Sequence, residues 1–183
     1  METNFYRQIA RSTAHRPIRD LLSNAVLQDK SLLDELVKIA LTVTDPNHHK
    51  ACWILELVLE QEPEWLTGYL SEFCTVLSQI KHEGALRSIS KICLFAIRHQ
   101  QRRANFLGDT EIEQITAACF DWLINPNGKV ATKAYAMRAL HLLGKDNEWI
   151  YPELKRILSE DAAKHSAAYV AAAKDILKQL AHK

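Results

Sequence analysis

The stretch that decides the fold lies in the last third of the sequence: 125-NPNGKVATKAYAMRALHLLGKDNEWIYPELKRILSED-161. Its apolar residues recur at steps of three and four, which is the period of an amphipathic helix. The turn residues 125–128 open one helix from about Lys129 to Gly144. Asn147 is the predicted cap of the next helix, which contains Pro152. The stretch therefore predicts a helical hairpin.

The same three- and four-residue period extends outward through nearly the whole chain, and strict alternation is scarce. A last helix is predicted over about 162–181, and one or two helices precede Ser31, divided at Pro17. Between these lie five more predicted helices. The first is marked by the apolar residues from Leu32 to Leu41, and the second has Asp45 as its N-cap and Pro46 as its first residue. The third begins at Pro63, the fourth follows Gly84, and the fifth begins at the capping-box pattern Thr110–Glu113 and ends near Ile124. We therefore predict an all-α fold.

The predicted helices form pairs with a regular spacing. The second helix of each pair follows a polar corner, and the corners lie at Asp45, Lys81, Asn125 and Asp161, which are 36, 44 and 36 residues apart. The longer middle interval is assigned to a loop over 100–108. Periods in this range are typical of stacked helical hairpins, none of which buries its apolar face alone.

Three segments resemble HEAT repeats. Residues 127–140, NGKVATKAYAMRAL, are similar to the second helix of such a repeat, where a polar corner precedes an aliphatic residue, a basic residue and spaced alanines. Asp45, followed five residues later by Lys50-Ala51, resembles the same corner. Residues 150–161 are similar to a first helix, proline included.

The resemblance covers about residues 31–181. It implies a single helical-repeat domain over 1–183, built as a right-handed stack of about four antiparallel helix pairs (an α-α superhelix). Residues 1–30 are expected to form an N-terminal helical cap, and residues 31–181 the repeats. The resemblance carries over no catalytic residues.

Composition and cysteine placement limit the classes of protein to which this chain can belong. With 48% hydrophobic and 25% charged residues, the chain has ordinary globular values, and its five glycines and five prolines favour helices with short connections. The four cysteines lie in apolar helical stretches without a Cys-x-x-Cys pair, as buried free thiols do. The first sixteen residues have no apolar core of signal-peptide length. We therefore expect a cytoplasmic protein.

Charge is unevenly distributed although the net charge is only +1, which gives no general attraction to nucleic acid or membranes. Residues 34–72 carry a local charge of −6, and residues 81–105 carry +5. One interpretation is a set of solvated helix faces that differ in sign. The other is a bipolar surface that orients a binding partner.

Catalytic and metal-binding motifs are missing from the sequence. It contains no phosphate-binding loop, nucleophile elbow or zinc-protease motif. His48 and Cys52 share a helix face, but a structural zinc site needs four ligands, and Cys52 falls on the predicted core side. We predict no metal, no cofactor and no catalytic residue.

The candidate site is the row of second helices, which lines the concave face in stacks of this kind. Helical projection places aromatic and charged residues there that are typical of protein-binding hot spots. The last helix would add His165 and Tyr169. An alternative is that Trp53 packs between neighbouring helices. The predicted contact residues are Trp53, Glu56, Arg87, Lys91, Arg98, Tyr135, Arg138 and His141.

The predicted function is that of a non-catalytic scaffold or adaptor that binds another protein in this concave groove. Two alternatives remain open. HEAT-like stacks include alkylated-base DNA glycosylases, and Trp53 with Glu56 is a conceivable base pocket, although the acidic repeat beside the basic one would repel a duplex. The third possibility is a structural homodimer.

Overall fold

A computed structural model describes residues 3–161 and 166–181, and all the regular secondary structure within these ranges is helical. The first residues of the last predicted helix, and His165 with them, lie outside the described part. The α-helices of the described part are α1 (Asn4–Arg11), α2 (Arg16–Gln28), α3 (Leu33–Leu41), α4 (His48–Gln61), α5 (Leu70–Val76), α6 (Glu83–Arg102), α7 (Asp109–Ile124), α8 (Val130–Leu143), α9 (Ile150–Asp161) and α10 (Ala167–Leu180).

The helices stack as pairs, as the sequence predicts. The second members, α2, α4, α6, α8 and α10, pack successively against one another and form an inner row. The first members lie behind them and contact one another less, so the inner row is the concave side. One continuous hydrophobic core runs from Phe5 in α1 to Ile176 in α10. Helix α2 packs on α4 at the N-terminal end of this row, where the cap is expected.

Two predicted helix starts differ from the structure by a few residues. Helix α4 begins at His48 with Asn47 as its N-cap. Asp45 instead accepts a hydrogen bond from the Asn47 N–H at 2.7 Å, because an aspartate side chain readily closes a local turn. Helix α7 begins before the predicted capping box, and Glu111 accepts a hydrogen bond from the Gly108 N–H at 3.1 Å.

Two predicted helices have different lengths. The one opened by Pro63 is broken into a 3₁₀ segment, Pro63–Tyr69, then α5, then a second 3₁₀ segment, Leu77–Gln79. Helix α6 is longer than predicted, since residues 100–102 are helical. The inner helices from α4 onward begin 35, 47 and 37 residues apart, so the long interval comes from α6 and a shorter loop over 103–108.

The basic residue of the polar corner closes the end of an outer helix. Lys133 in α8 is 1% exposed, and its Nζ donates to the carbonyl of Leu123, in the last turn of α7, at 2.9 Å. Lys50, in the corresponding position of α4, donates to the carbonyl of Ala10 in the last turn of α1. A cation suits the exposed carbonyls of a helix C-terminus. This part of the sequence pattern therefore has a structural role.

Candidate functional site

Three of the predicted contact residues meet in one ion-pair cluster between α4 and α6. Its members are Glu56, Glu60, Arg87, Ser88 and Lys91. The Lys91 Nζ donates to Glu56 Oε1 at 3.0 Å and to Glu60 Oε2 at 3.1 Å. The Ser88 hydroxyl donates to Glu56 Oε2 at 2.5 Å, and an Arg87 nitrogen lies 3.9 Å from the same oxygen.

Burial corrects the prediction for Glu56, which is 2% exposed and lies beneath this cluster instead of on the surface. Burial acts to lower the pKa of Lys91, but hydrogen bonds and charge from Glu56 and Glu60 outweigh it and raise that pKa. A buried carboxylate is tolerated because Ser88 and Lys91 each donate a hydrogen bond to it and Arg87 adds a second positive charge nearby. The cluster therefore joins two inner helices and leaves only the exposed parts of Arg87 and Glu60 for a partner.

Some of the acidic side chains of residues 34–72 form ion pairs with basic side chains of residues 81–105, and these ion pairs hold neighbouring repeats together. Arg103 also lies in the basic segment, and its Nη1 is 2.8 Å from Glu64 Oε2 in the acidic segment. Counting the ion-pair cluster, acids of 34–72 contact bases of 81–105 at three basic side chains. These contacts favour neither of the two charge interpretations in full, because much of the asymmetry is neutralised within the stack.

Trp53 packs between neighbouring inner helices, as the alternative interpretation predicted. It is half-buried, and its Nε1–H donates to the carbonyl of Gly84 at 3.1 Å. A Cβ added at Gly84 would lie 3.1 Å from that nitrogen, so the glycine permits the close approach. The His49 ring meets Trp53 edge-on at 5.1 Å and stacks on His82 at 4.1 Å.

The inner row opens into a groove at the C-terminal ends of α6, α8 and α10. This C-terminal groove has a volume of about 850 Å³. Its lining residues are Arg98, Gln100, Gln101, Arg102, Ala104, Arg138, His141, Leu142, Lys145, Asp146, Asp175, Ile176 and Gln179.

Three arginines of the C-terminal groove have no carboxylate partner within the described ranges. Arg98 and Arg102 are exposed on α6, and Arg138 is half-buried on α8. Arg103, which directly follows Arg102, contrasts with them because it pairs with Glu64 outside this groove. The groove thus presents guanidinium groups that are free to bind an external acceptor.

The remaining predicted residues contribute less to the surface. His141 lines the groove but is 8% exposed, with its ring 6.0 Å from that of Tyr151. Tyr135 is half-buried against the hydrophobic core and does not line the groove. Tyr169 is fully buried. Of the eight predicted contact residues, the structure brings Arg98, Arg138 and His141 together in one groove.

Arg102 was not among the predicted contact residues, although it lies four residues after Arg98 and both project from one face of α6. The polar run after His99 suggested a loop, which hid this spacing. Lys145 and Asp175 were missed because they enter the groove only through the packing of α8 and α10. No local pattern in the sequence indicates that packing.

The other chemistry-bearing side chains form no second site in the described part of the chain. All four cysteines are free and buried, and burial raises the pKa of Cys52 to about 12. Outside the undescribed 162–165 and the termini, no three histidine, cysteine or acidic side chains are grouped as metal ligands. Among the same residues, no helix has the length and apolarity that a membrane span requires.

Paired helices, a continuous core and a groove on the inner row define an all-α helical-repeat protein. The family model of the HEAT repeat domain matches residues 5–180, and the chain belongs to this family. The match confirms the resemblance inferred from residues 31–181 and extends it over α1 and α2. Comparisons with curated proteins and with solved structures gave no match.

Proposed function

We propose that this protein is a non-catalytic scaffold that binds another protein in the C-terminal groove of its inner row. The observation that carries the proposal is the set of arginines in that groove without carboxylate partners among the described residues: Arg98, Arg102 and Arg138. The family supports it, because the HEAT repeat domain is a fold of the protein-interaction scaffold type.

The proposal narrows the site predicted from the sequence. Trp53, Glu56 and Lys91 are assigned a supporting role, since they hold α4 and α6 in register. Arg98 and Arg138 are retained as contact residues. The half-buried Leu142 offers apolar contact beside these arginines, whereas Ile176 lines the groove but is only 3% exposed. Arginine beside apolar side chains in a concave surface is typical of binding hot spots.

Site-specific photo-crosslinking tests the proposal. A benzoylphenylalanine at Gln179, an exposed groove residue, is expected to capture a defined protein band in native lysate. The same probe at Ala117, exposed on the outer helix α7, is the matched control. An Arg98→Gln/Arg138→Gln double variant carrying the Gln179 probe is expected to lose the band. Equal capture from both probe positions, or capture that survives the double variant, contradicts the groove as the site.

The two other hypotheses from the sequence predict different results. A DNA-binding protein would retain nuclease-sensitive nucleic acid through the same arginines, with a steep dependence on salt. A homodimer would crosslink to itself and scatter light as twice the monomer mass. One candidate surface is the exposed Trp149, which stacks on Phe120 at 5.8 Å, with the exposed Ile124 one helical turn after Phe120 on α7. Trp149→Ser is expected to abolish such a dimer and leave groove binding intact.

A further inference from the structure

We infer that the occupant of the C-terminal groove is an extended acidic segment, in which spaced Asp or Glu side chains pair with Arg98, Arg102 and Arg138. This inference rests on the proposed function and adds the chemistry of the bound segment. In the neighbouring part of the inner row, between α4 and α6, the basic side chains already have carboxylate partners: Arg87 and Lys91 contact Glu56. Those of the groove lack them within the described residues.

The spacing of the arginines suits carboxylates on an extended chain. Arg98 and Arg102 lie one turn apart on α6, which places their Cβ atoms about 5–6 Å from each other. Arg138 lies on α8, and packed helices are separated by about 8–10 Å. An extended chain rises about 3.3 Å per residue and places every second side chain on the same face, so acidic side chains two residues apart are separated by about 6.6 Å, which lies between these two separations. Each guanidinium can then bind a carboxylate with two parallel hydrogen bonds.

The acidic side chains of the groove favour a peptide over nucleic acid. Asp146 and Asp175 line the same groove, and Glu60 lies further along the inner row. Duplex DNA carries a charge about every 1.7 Å of its axis and would place phosphates beside these carboxylates. A peptide can place its carboxylates opposite the arginines alone. The groove therefore selects for separated negative charges.

The C-terminal ends of three helices reduce the distance over which the arginines of the groove attract an acidic segment. Helices α6, α8 and α10 all end at the groove. Each C-terminus carries roughly half a negative charge from its carbonyls, which offsets part of the arginine charge over longer distances. Binding must then come from direct guanidinium contacts, and the affinity of a short peptide should be modest and sensitive to each arginine.

Fluorescence anisotropy with a defined probe tests the inference. The probe is an eight-residue peptide that alternates glutamate and serine, labelled with fluorescein, and its control replaces every glutamate by glutamine. We expect the glutamate peptide to bind at least about tenfold more tightly at low salt, since several charge-assisted contacts are lost in the control. Arg102→Gln and Arg138→Gln should each weaken binding by about two- to fivefold. The matched control Arg103→Gln removes the same charge one residue away, and it should leave binding unchanged.

The outcomes separate this inference from the proposed function. Equal binding of the two peptides overturns the inference, and loss of the crosslinked protein in the Arg98→Gln/Arg138→Gln variant would still support the proposed function. Equal weakening by Arg102→Gln and Arg103→Gln places acidic binding outside the groove and also overturns the inference. Tighter binding of a 20-base-pair duplex, with the same arginine dependence, makes nucleic acid the occupant and overturns both. Circular dichroism of each variant checks that the fold is retained.

Discussion

The Nζ of Lys91 lies 3.0 Å from Oε1 of Glu56, and this contact joins the second helices of two neighbouring repeats. Both residues belong to the sequence-predicted contact set, and both are used within the protein. Arginines that have no such carboxylate among the described residues lie instead in the C-terminal groove, and we propose that a partner binds there. Some charged side chains of the stack thus hold neighbouring repeats together, and others remain exposed in the groove.

Replacing the buried acid is expected to weaken the stack. Glu56→Gln removes the charge that faces Lys91, a side chain only 17% exposed, and leaves Glu60 as its remaining counterion. We expect a loss of about 1–3 kcal/mol in the free energy of unfolding, measured by urea titration. Glu60→Gln is the matched control, because Glu60 is 43% exposed and should contribute less than about 1 kcal/mol. Equal losses in the two variants would contradict the burial argument.

Alanine substitutions at two glycines should have different effects on the stability of the protein. A Cβ at Gly144 would lie 2.2 Å from Cε1 of Tyr151, so Gly144→Ala must displace that ring at a cost of about 1–3 kcal/mol. At Gly68 a Cβ would point into open space, with no atom within 4 Å, and the backbone has no left-handed φ. Gly68→Ala should therefore be neutral or stabilise by up to about 1 kcal/mol. Thermal unfolding of both variants checks this, and a Gly144→Ala protein as stable as wild type would contradict it.

Stability should fall in mildly acidic solution because of the histidines beside Trp53. Burial lowers the pKa of His49 from its ordinary value of 6.5, and repulsion from His82, His48 and Lys50 lowers it further. The folded protein then binds fewer protons than the unfolded chain. The contribution of neutral His49 to the free energy of unfolding is therefore complete above the pKa of the unfolded state, about 6.5, and it is lost as pH falls below that value.

The urea midpoint at pH 7.5 and pH 5 measures this effect. We expect His49→Gln to reduce the loss on acidification. His15→Gln is the control, because His15 is exposed at the start of α2 and has no ring contact with the histidine group. An unchanged pH dependence in His49→Gln would contradict the prediction.

Local sequence signals predicted the helices better than their ends. The three- and four-residue period found the inner helices, since it reflects which face of each helix is buried. Asp45 was misassigned as a cap because an aspartate before a proline serves a turn and a helix start equally well. Residues 100–102 were assigned to a loop, although they continue α6, and Gln101 donates a hydrogen bond to the carbonyl of Leu142 in α8.

The candidate site was only partly predictable. Helical projection placed Glu56 and Lys91 on the inner row, but it could not tell that Glu56 lies beneath Ser88 and Lys91. Arg98 and Arg138 looked no different in sequence from Arg87, because the presence of a carboxylate partner depends on the neighbouring helix.

The sequence by itself determined that this chain is an all-α stack of HEAT-type helix pairs, since apolar periodicity and corner spacing are local properties that each repeat carries. Only the tertiary structure decided which charged residues are available for a partner. Glu56 and Lys91 neutralise each other across α4 and α6, whereas Arg98, Arg102 and Arg138 converge on a groove. Such pairings join residues about thirty or more positions apart, and they exist only once the inner helices have packed.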